Sequence, residues 1–319
     1  MRSIVGGACF LLVGLCLAAG QLHAQDAETI AFPSLQKGRP VQVTASVVWP
    51  PTSGRVPALV LHHGSTGVNA GLFTMARRYA ASGVATVVID SFKARGVGST
   101  VQDQNAVSRE DFNRDALAVL KVLASHPRID ARRIGIAGFS KGAGSALAAA
   151  LLADRAAAGV PSTVAYAFHV AFYPSCAVQP YRPLTTGAPM LMLLGGADTY
   201  VGAEPCQVYG EALRAAGANL EVRVFPGVPH GYDGDQAGGD PRGQNTSQCV
   251  YQQQPDGSWI ERKTGVVVAG PDGRWNAAAE SRASAGCRTL GVSWGPDAEA
   301  RRLAHTELRD WVQRYLVSP

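Results

Sequence analysis

The sequence predicts an α/β fold, a mostly parallel sheet with helices on both faces, extended by a disulfide-stapled β-rich insertion near the active-site rim. Three observations predict it. Short apolar runs alternate with helix-length segments, the rhythm of strand and crossover helix. Polar and glycine-rich residues gather where those runs end, the side on which an open parallel sheet binds its ligand. Residues 233–297 then break the rhythm with two cysteines, the turn signals Pro255-Asp256-Gly257 and Pro271-Asp272-Gly273, and short β-prone runs at 258–261 and 266–268.

Taken in order, residues 1–24 carry one positive residue, Arg2, an apolar run over 4–19 and small residues toward the end, the pattern of a bacterial-type signal peptide cleaved after Ala24. The remainder, 25–319, suits one large domain with an insertion. After a lead-in punctuated by proline and glycine, 41–49 alternate enough for a strand, 50–57 turn, and 58–61 form a short buried strand. That strand ends in His62-His63-Gly64-Ser65-Thr66-Gly67, a loop of small residues opening toward a helix at 72–81. An apolar strand at 84–89 ends at Asp90, a polar loop runs to Gln104, and 109–125 have helical spacing. A strand at 133–137, an alanine-rich helix over 143–158, and strands near 164–172, 189–194 and 220–225 follow, and a last helix spans 298–316.

Composition narrows the function classes. At 46% hydrophobic and 17% charged, the chain buries an ordinary core. Its net charge of +5 comes from scattered residues, with no basic stripe interleaved with aromatics, so nucleic acid is not an expected partner. A membrane is not expected for the mature chain either, because no second long apolar stretch follows the leader. Of six cysteines, Cys9 and Cys16 lie in the leader. Cys176, Cys206, Cys249 and Cys287 suggest two disulfides in an exported protein, periplasmic or extracellular. Three connectivities exist, and pairing Cys176 with Cys206 and Cys249 with Cys287 keeps each bond within one structural region. The cysteines lack the close spacing of zinc ligands, and His62 and His63, as strand neighbours, face opposite ways, so no metal is expected.

The chemistry centres on Gly138-Phe139-Ser140-Lys141-Gly142, between a strand and a helix. This is a nucleophile elbow, in which a strained turn presents the central side chain above the sheet. A Cβ at either glycine would collide with the neighbouring strand or helix. Asp198 follows the 189–194 strand across Gly195-Gly196-Ala197, and His230 follows the 220–225 strand across Pro226-Gly227-Val228-Pro229. The three fall in the order Ser, Asp, His at the carboxyl ends of strands. Ser140 would be the nucleophile, His230 the base that takes and returns its proton, and Asp198 the group that fixes the imidazole. The backbone N–H groups of Lys141 and Ser65, with Thr66 as the alternative, would receive the oxyanion. The Lys141 side chain is expected in solvent rather than in the pocket, where it would favour anionic substrates. His62 and His63 are expected to hold the oxyanion loop, and His126, His169 and His305 to be structural or solvent-facing. No cofactor is required.

These stretches resemble the dienelactone hydrolase family of α/β-hydrolases. The resemblance rests on His62-His63-Gly64-Ser65, the Asp90-Ser91-Phe92-Lys93-Ala94-Arg95-Gly96 loop, the elbow, Tyr173-Pro174, Leu194-Gly195-Gly196-Ala197-Asp198 and Pro229-His230-Gly231-Tyr232, and covers about residues 41–233 plus the last helix. It implies an α/β-hydrolase fold and ester hydrolysis. The family's namesakes carry a cysteine nucleophile where this chain has Ser140, which is similar to the esterase-type and peptidase-like relatives. They also hold a substrate carboxylate with two arginines. Arg95 falls near the first, and no counterpart of the second stands near Gly234. Arg95 and Phe139 are the candidate substrate-binding side chains, a solvated loop arginine being the other reading of Arg95. The expected function is therefore a secreted serine hydrolase acting on a small-molecule carboxylic ester. A peptidase or lactonase of the same fold, or a non-catalytic binding protein that kept the fold, are the alternatives; the complete Ser140, Asp198, His230 set favours an enzyme. Residues 233–297 read either as a lid, with Trp259 and Trp275 as contacts, or as a stabilising decoration. Asn245-Thr246-Ser247 matches a glycosylation acceptor, to which a bacterial leader lends no weight.

Overall fold

The computed structural model describes residues 27–36 and 38–318; the expected signal peptide lies outside the described residues. The first described elements are β1 (Glu28–Gln36) and β2 (Arg39–Val48), an antiparallel hairpin. The proline- and glycine-punctuated sequence predicts an irregular lead-in here, whereas the structure forms β1 with Pro33 inside it. β1 is an edge strand, where a missing N–H disturbs no ladder on its open side.

The sheet then builds through β3 (Val56–His62), α1 (Ala70–Ala81), β4 (Ala85–Asp90), α2 (Arg109–Ala124), β5 (Ile129–Phe139), α3 (Lys141–Ala148), α4 (Leu152–Ala157), β6 (Phe168–Phe172), the two-residue β7 (Val178–Gln179), β8 (Met190–Gly195), α5 (Glu204–Ala215) and β9 (Leu220–Phe225). Eight of these strands form one sheet in the order β1-β2-β4-β3-β5-β6-β8-β9. All pairings from β4 to β9 are parallel. This is the α/β-hydrolase arrangement.

Central strands are buried on both faces, and alternate residues enter different cores. In β3, Leu59 and Leu61 pack with Leu72, Met75 and Tyr79 of α1 and with Leu308 and Trp311 of the last helix. Ala58 and Val60 pack on the other face with Leu117, Leu120 and Leu123 of α2. The alanine-rich segment expected as one helix divides into α3 and α4, because Leu151 leaves helical geometry to bridge Thr185.

Beyond β9 the insertion forms β10 (Gly238–Asn245), β11 (Tyr251–Gln253), β12 (Trp259–Glu261), β13 (Val267–Ala269), α6 (Ala277–Cys287) and β14 (Thr289–Trp294), before α7 (Ala298–Val312) returns to the sheet. β10 pairs with β14, and β11, β12 and β13 form a meander whose edge joins β7 of the core in parallel. The insertion therefore holds a helix the sequence reading did not assign. Two disulfides form, Cys176–Cys206 and Cys249–Cys287, the pairing expected. No helix among the described residues is long and apolar enough to cross a membrane.

Candidate active site

The elbow owes its shape to close packing. Ser140 sits at φ 53°, ψ −113°, a conformation that costs a non-glycine residue about 1–3 kcal/mol. Surroundings that cannot give hold it there. A Cβ on Gly138 would stand 2.0 Å from the carbonyl oxygen of Gly142, and a Cβ on Gly142 2.1 Å from that of His62. The Ser140 N–H donates to the Phe172 carbonyl at 2.9 Å. α3 begins at Lys141, so the first N–H groups of the helix, which have no intrahelical acceptor, lie at the base of the serine.

The structure brings Ser140, His230 and Asp198 together. Ser140 Oγ lies 2.9 Å from His230 Nε2, and His230 Nδ1 lies 2.6 Å from Asp198 Oδ2. A carboxylate only accepts, so Nδ1 carries the proton and Nε2 is left to accept from the serine hydroxyl. Asp198 Oδ1 accepts the N–H groups of Tyr200 and Val201 at 2.9 and 3.0 Å. Burial alone would push the Asp198 carboxyl up; the hydrogen bond and charge of His230 and those two N–H groups outweigh it and hold the carboxyl below its ordinary range. The rings of Tyr173 and Tyr200 flank the imidazole at 4.7 and 4.9 Å between centroids.

The loop after β3 passes directly over the elbow. A Cβ on Gly64 would stand 3.2 Å from both Ser140 Cβ and the Phe139 carbonyl oxygen, so glycine permits the approach that sets Ser65 beside the nucleophile. His63 fixes this loop. Its Nδ1–H donates to the Gly64 carbonyl at 2.8 Å and its Nε2 accepts the Ser91 N–H at 3.2 Å. Burial pushes the His63 imidazole down to about 4, so it stays neutral and keeps that bonding pattern. His62 shares a 2.8 Å hydrogen bond with the Ser91 hydroxyl and stacks on Phe112 at 4.0 Å. Among the described residues no group of His, Cys, Asp and Glu is arranged to hold a metal ion.

Two sequence expectations fail here. Arg95 is not in the site: its guanidinium grips Asp115 of α2 through both oxygens, at 2.6 and 2.9 Å, and donates to the Ser91 carbonyl at 2.6 Å. Its side chain and that of Asp115 are fully buried, so Arg95 pins the Asp90 loop to α2 and presents no donor to a substrate. Lys141 is not in solvent. Its Nζ donates to the Gln104 carbonyl at 2.7 Å and lies 5.6 Å from the Phe112 ring centroid, and desolvation lowers the ammonium to about 8 against the raising influence of Asp103. Phe139, buried and stacked on Phe172, contributes to a cavity wall.

Two cavities meet at Ser140. One, of about 570 Å³, is bordered by Ser65, Gln104, Lys141 and Tyr200 and roofed by insertion residues including Cys249, Tyr251 and Trp275. The other, of about 630 Å³, is bordered by Ser65, His230, Tyr173, Asp233, Trp294 and His305. Trp275 therefore reaches a cavity while Trp259 backs it from behind, with ring centroids 5.9 Å apart. His126 lies tilted against Trp49, His169 is buried with its Nδ1 on the Ala146 carbonyl, and His305 borders the second cavity. The sequence reading missed Tyr173, whose hydroxyl donates to Asp233 and whose φ is 39°, and Tyr200 and Gln104, which bridge the site's loops. Sequence marks Tyr173 only through the Tyr173-Pro174 pair and carries no sign of its positive φ.

Comparisons with known proteins agree with this fold. A Klebsiella pneumoniae structure assigned as a dienelactone hydrolase aligns over 90% of this chain and 100% of its own, with TM-score 0.55 and 17% identity. A thermophilic esterase of Thermogutta terrifontis, Est2, solved with propionate bound, aligns over 65% of this chain and 86% of its own, with TM-score 0.51 and 18% identity. The same esterase has been solved phosphorylated by paraoxon. In sequence, a Yersinia pestis protein assigned as a carboxymethylenebutenolidase is 44% identical over 48 residues, 15% of this chain, so the match spans only 18% of that relative's length. The sequence model of the dienelactone hydrolase family matches residues 43–255, from β2 through the elbow and the His230 loop into the first strands of the insertion, and the chain belongs to that family.

Proposed function

We propose that this protein is a serine hydrolase that cleaves carboxylic esters through an acyl-enzyme, with Ser140 as nucleophile, His230 as general base and acid, and Asp198 orienting His230. The relay from Ser140 Oγ through His230 to Asp198, with heavy-atom separations of 2.9 and 2.6 Å, carries this reading. His230 Nε2 takes the serine proton as Oγ bonds to the ester carbonyl carbon, and the carbonyl becomes an oxyanion beside the N–H groups of Lys141 and Ser65. When the C–O bond breaks, the imidazolium gives that proton to the leaving alkoxide. Water then repeats the sequence, with its proton going to His230 and on to Ser140 as the acid departs. The leaving oxygen, and then the attacking water, must lie within hydrogen-bond reach of Nε2. His230 borders the cavity of about 630 Å³ and not the other, which supports the alcohol leaving there and the acyl group occupying the cavity roofed by the insertion. That Est2 has been solved with propionate bound and phosphorylated by paraoxon is in keeping with the same chemistry. The two disulfides support export to an oxidising compartment such as the periplasm.

Hydrolysis of p-nitrophenyl esters of increasing acyl length, with fluorophosphonate labelling, tests the reading. Ser140→Ala is expected to abolish labelling and lower kcat by about 10⁴-fold or more. An unmodified protein that neither turns over nor labels at Ser140 would refute it.

A further inference from the structure

Gln104 lies in a loop with no regular structure and no place in the relay, yet each of its hydrogen-bonding groups reaches a different part of the site. Its side-chain Oε1 accepts the Ser65 hydroxyl at 3.2 Å, on the loop that passes over the nucleophile. Its Nε2 donates to the Tyr200 hydroxyl at 3.1 Å, and Tyr200 gives its own N–H to Asp198 and packs its ring on His230. Its carbonyl accepts Lys141 Nζ at 2.7 Å, from the residue after the nucleophile. Its N–H donates to Gln244 Oε1 at 3.0 Å, in β10 of the insertion. The neighbouring residues repeat the last connection. The Gln244 N–H donates to the Val101 carbonyl at 2.8 Å, and Gln102 Nε2 to Asp240 at 2.7 Å. On the inner side, the Thr100 N–H and Ser99 hydroxyl both donate to the Ser65 carbonyl, at 2.8 and 3.1 Å.

We infer that Gln104 is a positioning residue that makes the insertion part of the catalytic machinery, setting the oxyanion loop through Ser65 and the Asp198 loop through Tyr200 from a backbone held by Gln244. The inference rests on the serine hydrolase reading and adds to it. The reason is geometric. The oxyanion donors and the acid come from three separate strand ends, and a donor misplaced by a fraction of an ångström stabilises the transition state less while substrate still binds. One amide that bonds to two of those segments fixes their spacing, and β10 fixes the amide. The insertion then does more than roof the acyl cavity: it braces the hole.

The test is steady-state kinetics on p-nitrophenyl butanoate with Gln104→Ala, Gln104→Glu, Gln244→Ala and the Gln104→Ala/Gln244→Ala pair, beside thermal melting. Gln104→Ala is expected to lower kcat by about 10- to 100-fold with KM within threefold and Tm within a few degrees. A glutamate can still accept from both Ser65 and Tyr200. Gln104→Glu is therefore expected to regain most of the lost kcat, while its carboxylate moves the acid limb of the kcat/KM profile to higher pH. Gln244→Ala is expected to lower kcat about 3- to 10-fold, and the pair to fall short of the product of the two single effects. A Gln104→Ala enzyme with kcat within twofold of the unmodified protein, or effects that multiply independently in the pair, would overturn the inference while leaving Ser140 labelling intact. If Gln104→Ala does not fold, the Gln104→Glu pH profile and the Gln244→Ala kcat decide it by the same criteria. Loss of turnover and labelling in the unmodified protein would instead sink the hydrolase reading itself.

Discussion

The elbow and the insertion hold their shapes by opposite means. At the elbow, backbone meets backbone: Gly138 and Gly142 have no room for a methyl group, and β3, β5 and β6 enclose them with residues buried on both faces. In the insertion the meander strands are three residues long, α6 buries only Ala279, Ala283 and Cys287, and a disulfide joins the end of that helix to Cys249. Short strands and small side chains bury little apolar area, and the cross-link limits the unfolded alternatives instead. The elbow's rigidity comes from close packing; the insertion's comes from covalent closure and a few hydrogen bonds to the core.

Given that contrast, adding one methyl group should have very different effects in the two regions. In Gly142→Ala the new Cβ would lie 2.1 Å from the His62 carbonyl and 2.5 Å from that of His63, and neither backbone can rotate away. The expected loss is about 4 kcal/mol or more, with hydrolysis lost as the elbow opens. Gly265, in the insertion, has φ +69° and open space around it. Gly265→Ala carries only the left-handed backbone penalty, about 1 kcal/mol. Urea midpoints of the two variants measure the difference, and equal losses would show that packing at the elbow is no tighter than in the insertion.

Acid should separate the regions next. The sheet buries His63 and His169, whose imidazoles burial pushes down to about 4, while residues 233–297 contain no histidine. An unfolded histidine takes up its proton near pH 6.5. Between pH 6.5 and 4 the unfolded chain therefore binds more protons than the folded one. Stability present above pH 6.5 is lost as the pH falls toward 4, by up to about 3 kcal/mol for each of the two. The urea midpoint of the sheet should fall steadily from pH 7 to pH 4.5. Protection of β10 and β14 amides should decline only as the sheet itself unfolds, which hydrogen exchange at the two pH values reads.

The same division explains what could be read from the sequence. The elbow, the ends of β8 and β9 and their Asp198 and His230 were legible because local sterics dictate glycine there and strand periodicity places the ends. Arg95 and Lys141 were misjudged for a common reason. What each cation faces depends on partners remote in sequence: Asp115 and Ser34 for one, the Gln104 carbonyl for the other. α6 escaped notice because its buried residues are alanines and a cysteine, which leave no apolar stripe against its polar neighbours. β1 was hidden by Pro33, tolerable only at an edge that sequence does not reveal. Gln104 looked like one more polar loop residue, since its role lies in four bonds to four segments.

The smallest effect on global stability is expected where the cross-link is cut. Cys249→Ser removes the closure of a 38-residue separation, for which chain entropy gives about 3–4 kcal/mol. Because the sheet does not depend on that closure, the loss should appear as local opening of the insertion, with the urea midpoint of the sheet shifted by less than about 1 kcal/mol. Limited trypsin digestion should then cut at Arg262, Lys263 or Arg288 while residues 39–225 stay intact. Function should follow the opening. Cys249, Tyr251 and Trp275 roof the cavity proposed for the acyl group, so kcat/KM for octanoyl esters should fall several-fold relative to acetyl esters. If the variant resists trypsin like the unmodified protein, the β7–β11 pairing and the Gln104 loop hold the insertion without its disulfide, and hydrogen bonding to the core outweighs covalent closure.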